Sequence, residues 1–290
     1  MNKLEYTFKT DTLFKILFVK NPDLLKQLVS DLLRVRPESI EQFLITNPEM
    51  PPEAIGDKFC RLDIHMIVDG QKVSLEIQVE NECDYPERVL FQWARAFSNS
   101  LERGGDYIKL PRTIIISIIN FNQLECKEFH SEFRPLEVSR NEELTDKMTL
   151  HFFELKKLPD DTGDKDMLKL WLALFKAETQ EELDKVRASE VKVMEQAIDA
   201  YQSVTVSPEF RELERLRSLA RHNEASALRH AKDQVRAEER EKWQTVVDGK
   251  DAVISGKDAE ISNMNAKLFS KDAEIKSLLS QITELKAKNN

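Results

Sequence analysis

Residues Asp57 to Glu82, DKFCRLDIHMIVDGQKVSLEIQVENE, constrain the fold more than any other stretch of the chain. Two strictly alternating runs flank Asp69-Gly70. In the first, Leu62, Ile64, Met66 and Val68 point one way and Arg61, Asp63 and His65 the other. In the second, Val73, Leu75, Ile77 and Val79 oppose Ser74, Glu76, Gln78 and Glu80. A period of two marks half-buried strands, and Asp-Gly favours a two-residue type I′ turn. The stretch therefore reads as a β-hairpin. With Asp69-Gly70 as the whole loop, Val68 pairs with Gln71. Asp63 then stands opposite Glu76, His65 opposite Ser74 and Arg61 opposite Gln78. A longer loop, Asp69-Gly70-Gln71, would leave Asp63 diagonal to Glu76. A one-residue slip sends a strand's apolar set to the opposite face, so a shared core face favours the shorter loop.

Opposed side chains on one sheet face have Cβ atoms roughly 4.5–5.5 Å apart. Two carboxylates that close repel unless a proton or cation lies between them. A hard cation such as Mg²⁺ takes one or two carboxylates together with substrate phosphate. Asp63 and Glu76 thus read as a candidate metal pair with polar neighbours. The plainer reading of Asp63, Glu76 and Gln78 is a solvent-facing polar sheet face.

An aspartate followed on the next strand by Glu-x-Gln resembles the PD-(D/E)XK nuclease motif, with Gln78 where the motif has lysine. The flanking blocks are DTLFKILF (11–18), RLDIHMIVDGQKVSLEIQVEN (61–81), PERVLFQWARAFSNSLERGGDYIKLPRTIIISI (86–118) and SALRHAKDQVRAEER (226–240). Their order resembles the recombination-promoting nuclease / putative transposase family of that superfamily. The resemblance covers most of residues 1–160 and, more loosely, 165–245. It implies an α/β fold: a restriction-endonuclease-like mixed sheet flanked by helices. It also implies a Mg²⁺-dependent (or Mn²⁺-dependent) DNA endonuclease that hydrolyses phosphodiester bonds in recombination or transposition-like breakage. By this analogy Asp63, Glu76 and the carbonyl of Ile77 hold the metal, and Gln78 orients water or contacts phosphate. Asp11 and Lys15, on one helix at the border of the site, are then supporting or phosphate-binding residues, with Asp11 assisting the metal; the bland alternative is a charged first turn.

The rest of the chain fits that order. Thr10–Phe18 and Asp23–Leu33 carry helical apolar stripes behind a threonine-aspartate cap signal. Residues 36–56 are punctuated by Pro37, Pro48, Pro51 and Pro52, with a short strand at Phe43-Leu44-Ile45. Pro86–Arg103 is a predicted helix ended by Gly104-Gly105, and its polar face offers Arg88, Gln92 and Arg95 to phosphate or to solvent. The isoleucine-rich run of Arg112–Asn120 predicts a strand buried on both faces. Phe121–Asn141 reads as a loop with short structure and a surface His130, and Met148–Leu155 as a further strand.

The polar stretch Pro159–Asp166 suggests a boundary, giving a nuclease-like domain at 1–160, a helical extension at 161–246 and a tail at 247–290. In the extension, Arg229, His230, Lys232, Arg236 and Arg240 offer contacts to phosphate, but Glu238, Glu239 and Glu241 interleave with them, which favours a salt-bridged helix surface. In the tail, Ile254, Ile261, Leu268, Ile275 and Ile282 recur every seven residues. A seven-residue apolar period implies a coiled coil and a homo-oligomer; a mobile single helix is the alternative. No apolar run reaches the roughly 20 residues of a membrane span, and MNKLEYTFKTD lacks a signal-peptide core. Cys60, Cys83 and Cys126 form no pattern, so a reduced, cytoplasmic protein is expected. The net charge of −9 leaves DNA binding to a local basic lining. The rival to a nuclease is a catalytically silent nuclease-fold interaction protein that oligomerises through its heptads.

Overall fold

The computed structural model describes residues 2–47, 63–81, 84–101, 104–159 and 166–288. Arg61 and its expected pairing with Gln78, together with Cys60, Cys83, Arg103 and most of the suggested boundary at 159–166, lie outside them. Helices α1 (Asp11–Lys20) and α2 (Pro22–Leu33) precede the short strand β1 (Phe43–Ile45), the hairpin β2 (Ile64–Val68) and β3 (Gln71–Gln78), and helix α3 (Tyr85–Ser98). Strands β4 (Thr113–Ile119), β5 (His130–Phe133) and β6 (Met148–Glu154) follow. Helices α4 (Met167–Lys176), α5 (Gln180–Arg187), α6 (Lys192–Val206) and α7 (Pro208–Lys288) complete the chain.

One mixed six-stranded sheet runs in the order β1-β2-β3-β4-β6-β5. The hairpin adopts the two-residue register: Val68 pairs with Gln71, His65 with Ser74 and Ile64 with Leu75. Asp69 and Gly70 both have positive φ, 47° and 75°, which a type I′ turn requires at its two central residues. Asp69 also ties the turn to the chain entering β1, since its Oδ1 accepts from the backbone N–H of Glu41 at 3.0 Å and of Gln42 at 2.8 Å. β3, β4 and β6 are parallel. Parallel neighbours need a crossover of a dozen or more residues, and α3 is the crossover from β3 to β4. It ends at Ser98, earlier than the Gly104-Gly105 stop expected from sequence.

The isoleucine run is buried along all of β4, as expected of a central parallel strand. On one side, Ile64, Met66, Val73, Leu75, Ile114, Ile116 and Ile118 join a core with α1, α2, α4, α5 and α6. On the other, Ile115, Ile119, Leu150 and Phe152 pack under Tyr85 and Val89 of α3. Trp171 of α4, fully buried, donates its indole N–H to Asp31 of α2 at 2.8 Å, and Tyr201 of α6 donates to the carbonyl of Tyr6 at 2.6 Å. Helices α4, α5 and α6 and the first turns of α7 therefore share the sheet's own core rather than building a second one. The compact unit runs Met1–Leu219, and Ala220–Asn290 forms the other.

Residues 121–141, expected as mostly loop, contain β5, and His130 is half-buried. Its ring stacks on Phe153 with centroids 4.4 Å apart, and its Nε2 lies 3.1 Å from Nδ1 of His151. A short polar edge strand has no alternation from which to be read. Burial above all pushes His151 down to about 4; nearby Glu132 opposes this, and His130, Arg112 and Arg134 reinforce it. His130 is lowered too, by burial and then by Arg34.

A depressed histidine pKa has a definite sign in stability. Above about pH 6.5 neither the folded nor the unfolded chain carries the proton at His151. Between 6.5 and about 4 the unfolded chain takes it up and the folded chain does not. Stability is therefore fully present above 6.5 and falls as pH falls, by on the order of 3 kcal/mol. Urea midpoints at pH 7.5, 6 and 5 should drop in that order, and His151→Gln should flatten the trend. An equally steep trend in the variant would contradict it.

Candidate active site

Glu76 sits near the C-terminal end of β3, level with Ser117 of β4. The polar face that carries it is not solvent-facing: the β3–β4 crossover α3 closes over it, and Glu76 is 3% exposed. A buried carboxylate needs donors, and two hydroxyls supply them. Tyr85 Oη donates to Glu76 Oε1 at 2.6 Å and Ser117 Oγ to the same oxygen at 2.9 Å. Among the described residues Oε2 takes no hydrogen bond and remains the carboxylate's open oxygen.

Asp63 immediately precedes β2, where the hairpin register, continued by one residue, brings it level with Glu76. Burial first, then Glu76, then more weakly Asp63, drive the Tyr85 phenol well above its ordinary pKa. Both carboxylates thus act on one phenol, which stays a protonated donor. The Asp63 backbone is clasped from two sides. Its carbonyl accepts from Asn47 Nδ2 at 2.8 Å and lies 3.4 Å from Lys15 Nζ, while Asn47 Oδ1 accepts from the N–H of His65 at 2.7 Å.

Lys15 reaches this point from α1 and is 2% exposed. Loss of hydration and then the Lys15 ammonium lower the pKa of His65, whose Nδ1 is 2.8 Å from Ser74 Oγ across the hairpin. Asp11, four residues before Lys15 on the same helix, is exposed. On α3 the Arg88 guanidinium lies over the Tyr85 ring, 4.8 Å from its centroid. Of the residues expected at the site, the structure thus groups Asp63, Glu76, Lys15 and Arg88. Gln92 and Arg95 lie further along α3, and among the described residues no hydrogen bond or ion pair joins either to Asp63 or Glu76. Gln78 Nε2 donates to the carbonyl of Glu80 at 2.9 Å, so its amide is engaged along its own chain.

The chain belongs to the PD-(D/E)XK nuclease transposase family. The family described as PD-(D/E)XK nuclease family transposase matches residues 8–231, a span that holds every residue grouped above. Comparison with curated proteins yields no match, and neither does comparison with solved structures.

Nucleases of this family typically use divalent metals, and the donor set fits one. Two carboxylates, one with an open oxygen, and neighbouring carbonyls are the hard oxygen ligands that Mg²⁺ prefers, with waters completing its shell. Among the described residues no larger cluster of His, Cys, Asp and Glu suits a metal, and no helix is long and apolar enough to cross a membrane.

The two hydroxyl donors were missed in sequence, though each left a trace. Ser117 is the one polar side chain in the isoleucine run that follows Thr113, and Tyr85 opens a helix soon after the motif strand. Tyr85→Phe removes a hydrogen bond to a charged acceptor, worth about 1.5–3 kcal/mol. The urea midpoint should fall accordingly. An unchanged midpoint would mean that Glu76 is satisfied by Ser117 alone.

Proposed function

We propose that the chain is a Mg²⁺-dependent DNA endonuclease that hydrolyses phosphodiester bonds in recombination or transposition-like breakage. The observation that carries this reading is the hairpin register that brings Asp63 level with Glu76, beside a buried lysine, in a chain of nuclease family. The sheet would serve as a restriction-endonuclease-like core within residues 1–160, extended by helices at 161–246 and by a homo-oligomerising tail at 247–290.

Asp63, Glu76 through Oε2 and the carbonyl of Ile77 would hold the ion. When bound, it supplies Lewis-acid polarisation of the phosphoryl oxygen and an acidified water. Tyr85 and Ser117 fix Glu76 through Oε1 and leave Oε2 to the ion. Lys15 places a cation beside Asp63 and so offers, from α1, the charge that Gln78 lacks. Gln78 would orient the attacking water once its amide leaves Glu80. Arg88, with Gln92 and Arg95 further along the helix, would line the path of the DNA backbone, and Asp11 would support Lys15.

Supercoiled plasmid incubated with the full chain tests this. Nicked or linear product is expected with Mg²⁺ or Mn²⁺ and none with EDTA. Metal binding without cleavage would favour the silent interaction module, which draws support from the engaged amide of Gln78. Cleavage that persists in EDTA would overturn the metal assignment.

A further inference from the structure

We propose that the tail forms an antiparallel two-stranded coiled coil with a second copy of the chain, in a single register. This rests on the homo-oligomeric reading of residues 247–290 and deepens it. In α7, Ile254, Ile261, Leu268, Ile275 and Ile282 hold one heptad position, and Met264 and Leu278 hold the position three residues later. All seven are between 48% and 62% exposed. Lys257 and Lys271 interrupt the second position.

Those lysines decide the direction. In a parallel pair each seam position meets itself, so Lys257 and Lys271 would each face their own copy inside the seam. Like charges placed directly opposite destabilise, the more so when desolvated. In an antiparallel pair the first position meets the second. Each lysine then faces an aliphatic side chain, lays its stem along it and carries its ammonium out to water.

The flanking charges decide the register. In an antiparallel pair, residues just before the first position meet their own class across the seam, and so do residues just after the second. Setting Ile261 opposite Leu278 also sets Met264 against Ile275, Leu268 against Lys271 and Lys257 against Ile282. The same alignment joins Lys267 to Glu274 twice by symmetry and leaves Asp272 beside Asn265. A shift of one heptad one way opposes Glu260 to Glu274 and Asp258 to Asp272. A shift the other way opposes Glu274 and Asp272 each to its own copy. Two heptads along, Asp251 meets Asp272. Flanking charges of this kind are what select partner orientation in coiled coils.

The full chain with Cys60, Cys83 and Cys126 replaced by serine and a spin label at Ala252→Cys separates the alternatives. Sedimentation should give a dimer. In the proposed register the two labels stand roughly 35 residues apart along the helices, about 50 Å at 1.5 Å per residue. A monomer overturns both this proposal and the oligomeric reading. A dimer with labels within about 20 Å, the parallel arrangement, overturns the direction alone, and a mass above the dimer overturns the two-stranded pairing. The register has its own test. Lys267→Glu should weaken the dimer roughly five- to tenfold, through two lost pairs and two new repulsions, and adding Glu274→Lys should restore it. In a parallel pair Lys267 would instead face Asp272, and the double swap would not restore. Failure to restore overturns the register.

Discussion

Cleavage by Asp63→Ala should fall about 10³-fold or more, while the protein stays folded. The rate loss follows from removing one of two carboxylates proposed to hold the ion, a term of several kcal/mol in the barrier. The retained fold follows from what anchors the position. Asn47 and Lys15 meet the backbone carbonyl of Asp63, which alanine keeps. The excised carboxylate raises the pKa of Tyr85, as expected of a negative charge near a phenol. Plasmid nicking at saturating Mg²⁺, with urea midpoints for both proteins, measures the two halves separately. A folded variant that cuts at the wild-type rate removes Asp63 from the site. A variant that fails to fold shows that the half-buried carboxylate is structural.

Lys15→Gln should lower cleavage by about 10²–10³-fold, the usual effect of losing one donor aimed at a developing oxyanion. Position 78 offers the complementary test. Gln78→Lys in the Lys15→Gln background returns a full charge to the strand that carries Glu76, where the family motif places it, and should recover part of the rate. Gln78→Lys alone should gain little if Lys15 supplies the cation as proposed. Single-turnover cleavage of the four proteins gives the coupling between the two positions. Independent effects would mean that the two cations serve different atoms, and an unaffected Lys15→Gln would leave Lys15 a packing residue.

The hairpin was legible because three signals agreed: alternation on both arms, Asp69-Gly70 between them, and a shared apolar face. Together these fixed the register of Asp63 against Glu76 without any tertiary information. Alternation, however, separates two faces without saying which of them is covered. The polar face was read as open, and the parallel pairing of β3 with β4, which forces α3 across it, is a property of strand order rather than of either strand. For a related reason the contact with Asp63 was hidden, although the family resemblance had already made a supporting residue of Lys15. In DTLFKILF it reads as a charged turn of an amphipathic helix, and only the docking of α1 brings it to Asp63, 48 residues away. The helices after 166 were set apart because Pro159–Asp166 is polar, yet Trp171 and Tyr201 show that a polar connection need not separate two cores.

The double clasp on Glu76 has a consequence for timing. A glutamate side chain gives up roughly 1.5–2 kcal/mol of rotamer freedom when it is fixed. Tyr85 and Ser117 fix this one during folding, before any ligand arrives. An ion bound at Oε2 as proposed would meet an oxygen already at rest, and its affinity would carry no cost for stilling the side chain. The difference is about tenfold in dissociation constant or somewhat more. Preorganisation of this carboxylate is thus a by-product of the crossover that buried it.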